Sequence, residues 1–309
     1  MIQNKPLATL LMPAYNSPDL FCALESVRCQ TYRPIQFILI DDCSTVFHEA
    51  RVRSFFSGMG EDFHFLLLRN ENNLGTVRTL NRGLAIADGK YLFNLASDDA
   101  FCDENVLEDW VAAFEKTDCD VLTARRAVCD RDLQKILEIL PTEKAIAAIE
   151  HSSSEKLFEF LTKENQISGS CTAWRLETMR RLSLFDESYC VLEDHPAYLR
   201  LLRSGGTIRF LDRIVVRYRS GGISAKESCI SPRLEEDFVR MYQKEIIPYV
   251  RRPLLARFRL AFWQRGVRFD RSYYNERENA EGRRKVLLQL RYYAHHPTRL
   301  LRKAKGRNR

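Results

Sequence analysis

Two adjacent carboxylates, Asp98 and Asp99, follow the apolar run Tyr91-Leu-Phe-Asn-Leu95. Such a pair repels itself unless a cation, a helix N-terminus or hydrogen-bond donors stand opposite. Hard divalent ions such as manganese and magnesium take oxygen ligands from one or two carboxylates together with substrate phosphates, so Asp98 and Asp99 are candidate metal ligands. The alternative is that one aspartate only caps a helix starting near Asp103. A second pair, Asp41-Asp42, closes the run Ile35-Gln-Phe-Ile-Leu-Ile40, and a third, Glu193-Asp194, precedes His195-Pro196. Proline fits the first turn of a helix, which makes Asp194 a candidate N-cap.

These carboxylates need elements to hold them. Leu7–Met12, Ile35–Ile40, Phe63–Leu68, Tyr91–Leu95 and Asp120–Ala124 read as strands, and Asp19–Gln30, Thr76–Ala87 and Val106–Phe114 as helices with one apolar face. Continuous apolar strands alternating with helices predict an α/β fold, a mostly parallel sheet flanked by helices. Ligands of such sheets bind outside the carboxyl ends of the strands. Pro13-Ala14-Tyr15-Asn16, Asp41-Asp42 and Ser97-Asp98-Asp99 all fall there. Neither G-x-G-x-x-G after the first strand nor G-x-x-x-x-G-K-[ST] occurs, which argues against a dinucleotide fingerprint or a P-loop. A nucleotide would be held by aspartates instead, one accepting from ribose hydroxyls or a base N–H and another reaching a metal on the diphosphate.

The 309 residues are 45% hydrophobic and 29% charged, an ordinary soluble composition. No apolar run approaches the roughly 20 residues that span a bilayer. Met1-Ile-Gln-Asn-Lys-Pro leads straight into a strand, so no signal peptide is expected. Nine cysteines without a C-x-x-C pair predict free thiols and a cytoplasmic protein, not a disulfide framework or a zinc site. The net charge of +7 is unevenly spread: residues 251–309 hold 18 Lys/Arg against 4 Asp/Glu, leaving the first 250 residues net acidic. In this basic tail Leu254, Leu255, Phe258, Ala261 and Phe262 recur at helical spacing among arginines, and Leu287, Leu288 and Tyr292 repeat the pattern. Such stripes either pack on the rest of the chain or lie in an anionic membrane interface, where the terminal run Arg299–Arg309 is expected. A non-catalytic nucleotide-binding scaffold whose basic, aromatic tail binds nucleic acid is the other class of reading. The tail holds no known nucleic-acid module, so nucleic acid is not expected.

Leu11-Met-Pro-Ala-Tyr-Asn16, Ser26-Val-Arg-Cys-Gln-Thr-Tyr32, Ile40-Asp-Asp-Cys-Ser-Thr45, Asn73-Leu-Gly75 and Ala87-Asp-Gly-Lys-Tyr-Leu92 resemble successive blocks of the family-2 glycosyltransferases. The resemblance is tight over residues 7–103, looser through Leu192–His195 and Val215–Arg219, and absent beyond about 230. It implies a GT-A, Rossmann-like fold with a catalytic domain over 1–230, the donor half near 1–125 and the acceptor half near 126–230. A helical basic extension would follow over 231–309. It further implies an inverting hexosyltransferase that takes a nucleotide sugar, most directly UDP-linked, and a glycan or lipid-linked acceptor, as in cell-surface polysaccharide synthesis. Manganese or magnesium would be the cofactor.

By position, the resemblance places Pro13, Ala14, Tyr15 and Asn16 around the nucleobase, with Asp42 on the uridine unless it is only a turn residue. Ser97, Asp98 and Asp99 match the D-x-D block, with Ala96 where the first aspartate often stands; Asp98 would face ribose and the metal, and Asp99 the metal. Asn73 and Gly75 would belong to the donor site, and Arg78 would reach the diphosphate or otherwise solvate a helix face. Asp194, with Glu193, falls at the catalytic base, and His195 is a supporting residue. Arg219 and Ser224 are further diphosphate candidates, and Trp174 is either a sugar-stacking platform or a core residue.

Overall fold

A computed structural model describes residues 5–220, 230–278 and 280–295. The first half follows the periodicity closely. β1 (Ala8–Ala14), α1 (Leu20–Arg28), β2 (Ile35–Asp41), α2 (Glu49–Phe55), β3 (Phe63–Arg69), α3 (Thr76–Leu84) and β4 (Tyr91–Asn94) alternate. The four strands lie side by side in the order β3-β2-β1-β4, all parallel. Alternate residues leave opposite faces of a strand, and the core divides accordingly. Leu10 and Phe37 join Leu24 of α1 on one face, while Leu11 and Ile38 join Leu80 and Leu84 of α3 on the other. Both faces of β1 and β2 are covered, which is why these strands read as unbroken apolar runs.

The second half brings β5 (Ala100–Phe101), α4 (Val106–Lys116), β6 (Val121–Cys129), β7 (Ile136–Leu140), α5 (Glu143–His151) and α6 (Ser154–Leu161). Then come β8 (Thr172–Arg175), α7 (Leu176–Arg181), α8 (Asp194–Arg203), β9 (Ile208–Arg219), α9 (Pro232–Met241), α10 (Pro253–Glu278) and α11 (Gly282–His295). The described strands form one sheet ordered β3-β2-β1-β4-β8-β6-β9-β5, with β7 paired to β6. β8 runs antiparallel to both β4 and β6, and β5 and β7 are antiparallel to their neighbours. The parallel arrangement expected from the sequence thus holds for β1 to β4, and the later strands make the whole sheet mixed.

Of the two readings of Trp174, the core one holds. Trp174 is 1% exposed and stacks on Tyr198 with ring centroids 5.7 Å apart. It is a core pillar and cannot offer a face to a sugar. The boundary expected near residue 230 falls inside a packed unit: Met241 and Ile246 are buried in the same cluster as Leu199 and Leu201 of α8. The eight described cysteines are all free thiols, as expected.

Candidate active site

Three strand-end loops are tied together at the carboxyl edge of the parallel strands. After β1, Tyr15 is 53% exposed and Asn16 adopts a left-handed φ of 47°. The Asn16 Oδ1 accepts from the N–H and hydroxyl of Thr45 at 2.9 and 2.8 Å, and its own N–H donates to Ser44 Oγ at 2.8 Å. Cys43, after β2, is also left-handed at φ 65°. Such backbone persists at non-glycine residues only where the surroundings hold it, and this clasp does so. The Ser17 hydroxyl donates to the Ser97 carbonyl at 2.8 Å, linking the first loop to the aspartate pair. A cleft of about 370 Å³ opens between the first two loops, lined by Asn16, Ser17, Phe21, Thr45, Phe47 and Arg51.

Both residues of the Asp41-Asp42 pair are buried and occupied. Asp41 accepts from the Ser44 N–H and pairs with Arg69 at 3.1 Å. Asp42 accepts from Asn70 Nδ2 at 2.6 Å and from the N–H groups of Leu74 and Gly75 at 2.8 and 3.0 Å. Three donors from the 70–75 loop use its oxygens, so in this structure Asp42 pins that loop. Gly75 sits at φ 81°, and a Cβ there would lie 2.7 Å from the carbonyl oxygen and Sγ of Cys190. The loop therefore lies directly on the segment that leads to Glu193. Asn73 stands exposed on the same loop. Arg78 remains mostly exposed and faces Glu187 at 3.7 Å.

Asp99 is 1% exposed. Its Oδ1 accepts from the Arg219 N–H at 2.9 Å, but its buried Oδ2 has no partner among the described residues. Burial and the neighbouring Asp98 charge push Asp99 up to about 8, against the Arg219 N–H and the charges of Arg126 and Arg219. Asp98 is half-buried and is also raised by burial. Arg219 is not free to meet a ligand: it donates to the Asp98 carbonyl at 2.7 Å and to the Arg131 carbonyl, and faces Asp19 at 3.5 Å. Neither aspartate caps α4, whose N-cap is Asn105. A buried carboxylate oxygen without a donor is costly, and a hard divalent cation on Asp98 and Asp99 would satisfy it. Among the described residues no third carboxylate, histidine or cysteine completes a cluster, so the fit is to an ion that also takes substrate oxygens. Ser224 lies outside the described residues.

Strand register brings the third carboxylate pair to this end of the sheet. Tyr91, Leu92 and Phe93 pair with Arg175, Trp174 and Ala173. The Gly169–Cys171 turn before β8 therefore continues past the carboxyl end of β4, towards Ser97. Asp194 Oδ2 accepts from the Gly169 N–H at 3.0 Å, and Oδ1 from the adjacent His195 N–H at 2.6 Å. The N-cap of α8 is Glu193, whose side chain makes no cap bond. Asp194 is thus the first helical residue, and the cap reading is corrected. Burial raises Asp194 against the pull of these N–H groups and of Arg126, while burial and the Asp194 charge raise Glu193. His195 is buried, 3.0 Å from the Leu161 carbonyl through Nε2, and burial pushes it down to about 4; it is a structural, neutral residue.

Two residues escaped the sequence reading. Asp237, on α9 and 1% exposed, accepts three successive N–H groups on one oxygen: Cys190, Val191 and Leu192, at 2.8, 2.7 and 3.1 Å. It fixes the approach to Glu193-Asp194 from outside every motif, and nothing local marked it. Arg126 lies in β6, where the pairing with β9 slips on both sides of Arg125. Irregular strands re-aim side chains next to functional sites. Its guanidinium lies 5.4 Å from the Tyr218 ring and 3.3 Å from the Gln166 carbonyl, with Nε buried and unpartnered. Its charge acts on both Asp99 and Asp194. Two arginines in an otherwise apolar strand were the available signal.

Residues 9–179 match the family model described as glycosyl transferase family 2. A putative colanic acid biosynthesis glycosyl transferase of Escherichia coli, WcaA, is 25% identical over 205 residues, 65% of this chain and 68% of that one. The 1–349 fragment of S. aureus TarS in complex with UDP-GlcNAc superposes with a TM-score of 0.58 at 17% identity, over 76% of this chain and 64% of that fragment. The mannosyltransferase PcManGT of Pyrobaculum calidifontis, in complex with GDP-Man and Mn2+, gives 0.59 at 15% identity, over 94% and 81%. At these identities the two structures establish the shared GT-A fold.

Proposed function

The chain belongs to glycosyl transferase family 2 and is a glycosyltransferase, and from that premise we propose an inverting, metal-dependent transfer of a sugar from a UDP-linked donor to a hydroxyl of a glycan or lipid-linked acceptor. Family membership sets aside the non-catalytic scaffold. The observation that carries the proposal is the partnerless Oδ2 of Asp99, buried at the same end of the sheet as Asp194. Relatives named for colanic and teichuronic acid biosynthesis support a role in cell-surface polysaccharide synthesis.

In this reading Pro13, Ala14, Tyr15 and Asn16 line the base site, where the exposed Tyr15 ring offers a stacking face. Ser97 and Asp98 face the ribose. Asn73, Gly75 and Arg78 flank the diphosphate on a loop that Asp42 holds in place. Manganese or magnesium on Asp98 and Asp99 would neutralise charge on the departing nucleoside diphosphate. Asp194 takes the proton of the acceptor hydroxyl as that oxygen bonds to the anomeric carbon. The bond to the diphosphate oxygen breaks on the opposite face, and its electron pair leaves with the diphosphate. Burial that raises a carboxylate towards neutrality makes it a better base, which favours Asp194, with Glu193 beside it. Arg126, acting on both carboxylate groups, stands between the two halves of the reaction.

A thermal-shift panel of nucleotide sugars with manganese tests the donor class. A UDP-sugar should raise the melting temperature of wild type and of Asp194→Asn alike. No shift with any nucleotide sugar would reject the donor site.

A further inference from the structure

α10 and α11 each have two apolar faces, and the protein uses one of each. On α10, Ala256 and Leu260 are buried in the cluster that holds Met241 and Ile246, and Trp263 stacks on Phe238 with ring centroids 4.5 Å apart. On the other side Leu254, Phe258 and Phe262, spaced one helical turn apart, are 77%, 66% and 70% exposed. On α11, Leu288 and Tyr292 close on Tyr273 and Ala280, leaving Val286, Leu287 and Leu290 exposed. The stripe read from the sequence on α10 is thus left outside while a different stripe of that helix packs on the body, and on α11 the stripe is divided, Leu287 outside and Leu288 and Tyr292 against Tyr273 and Ala280. Arg257, Arg265 and Arg268 flank the outer face of α10, and Arg283, Arg284 and Lys285 open α11; all six are exposed.

An uncovered apolar stripe of this size marks an interaction surface, and its charge selects the partner. A second copy of the chain would bring the same cationic rows together and be repelled. An anionic lipid surface accepts both components: apolar side chains enter the boundary between headgroups and acyl chains, and arginines meet lipid phosphates. No helix among the described residues is long and apolar enough to cross a membrane, so contact would be from one side. We propose that the outer faces of α10 and α11 are a docking surface for an anionic bilayer. This deepens the reading above, from which it takes the lipid-linked acceptor: docking holds the catalytic body where such an acceptor resides. The terminal run Arg299–Arg309, expected at the membrane from its composition, lies outside the described residues.

The test is flotation of the full chain with phosphatidylcholine vesicles, with and without phosphatidylglycerol, at low and high salt. The variant is Phe258→Ser/Phe262→Ser, whose side chains lie in solvent, with its melting temperature checked against wild type. Wild type should float with phosphatidylglycerol vesicles at low salt and be released by high salt; the variant should lose at least several-fold of that recovery at unchanged melting temperature. Flotation that is absent, indifferent to phosphatidylglycerol or unchanged in the variant would overturn the proposal. So would a concentration-dependent dimer abolished by the variant, or loss of flotation to competing duplex DNA. UDP-sugar turnover is measured on the same samples. Turnover without flotation rejects the docking surface alone, and flotation without turnover rejects the donor reading alone.

Discussion

At the residue scale the aspartates divide by what they already touch. Asp41 and Asp42 are spent on backbone and side-chain donors, whereas Asp99 keeps one buried oxygen unpartnered. Asp99→Asn should therefore abolish metal-dependent transfer without lowering the melting temperature, because burial already holds the metal-free Asp99 largely neutral at pH 7 and the Oδ2 it replaces has no partner to lose among the described residues. A melting scan and a manganese-stimulated assay check both halves. Asp194→Asn should leave donor binding intact and cut kcat by about 10² to 10⁴, the usual contribution of a general base; steady-state kinetics with a separate donor titration decide it. His195 makes a pH prediction. Its folded value is about 4 against 6.5 for the free side chain, so on acidification the unfolded chain takes up the proton first. Stability should be whole above pH 6.5 and fall between 6.5 and 4. The slope of melting temperature against pH in that window should be steeper for wild type than for His195→Gln. The residues the sequence put forward, Tyr15, Asp98, Asp99 and Asp194, were those inside short motifs. Asp237 and Arg126 were not legible, because their importance comes from contacts with segments 45 or more residues away, or with several strands at once.

At the element scale, β1 to β4 and their helices could be read because both faces of each central strand are buried and the helices show one apolar side. The strands after β4 were less legible. β8 is four residues long, and β7 presents Ile136, Leu137 and Ile139 to solvent, so neither has the pattern that burial imposes elsewhere. The element that does most to hold the segment before Asp194, the proposed base, is α9, through Asp237. Hydrogen bonds to a charged group contribute about 1.5–3 kcal/mol each, so Asp237→Ala should cost several kcal/mol in denaturant unfolding. It should also lower kcat more than donor affinity, since the segment it holds leads directly to Asp194 and meets the proposed donor side through Cys190 alone, at Gly75 and Val77. Equal loss in both would mean that the variant collapses the whole site.

At the scale of the whole molecule, the charge division read from composition corresponds to two surfaces. One end of the sheet gathers the carboxylates proposed to serve a cation and a base, and the outer faces of α10 and α11 gather arginines around uncovered apolar side chains. The sequence could not assign those helices because each carries two apolar stripes, and only packing distinguishes the stripe that joins the core. The central claim is that Asp98 and Asp99 serve a cation in sugar transfer from a nucleotide donor. It is tested most directly by following nucleoside diphosphate release from a panel of UDP-sugars in manganese, then after chelation, for wild type and Asp99→Asn. The account predicts release by wild type that stops on chelation, returns with added metal and is absent from the variant. Release at the same rate by wild type and Asp99→Asn, unaffected by chelation, would contradict it.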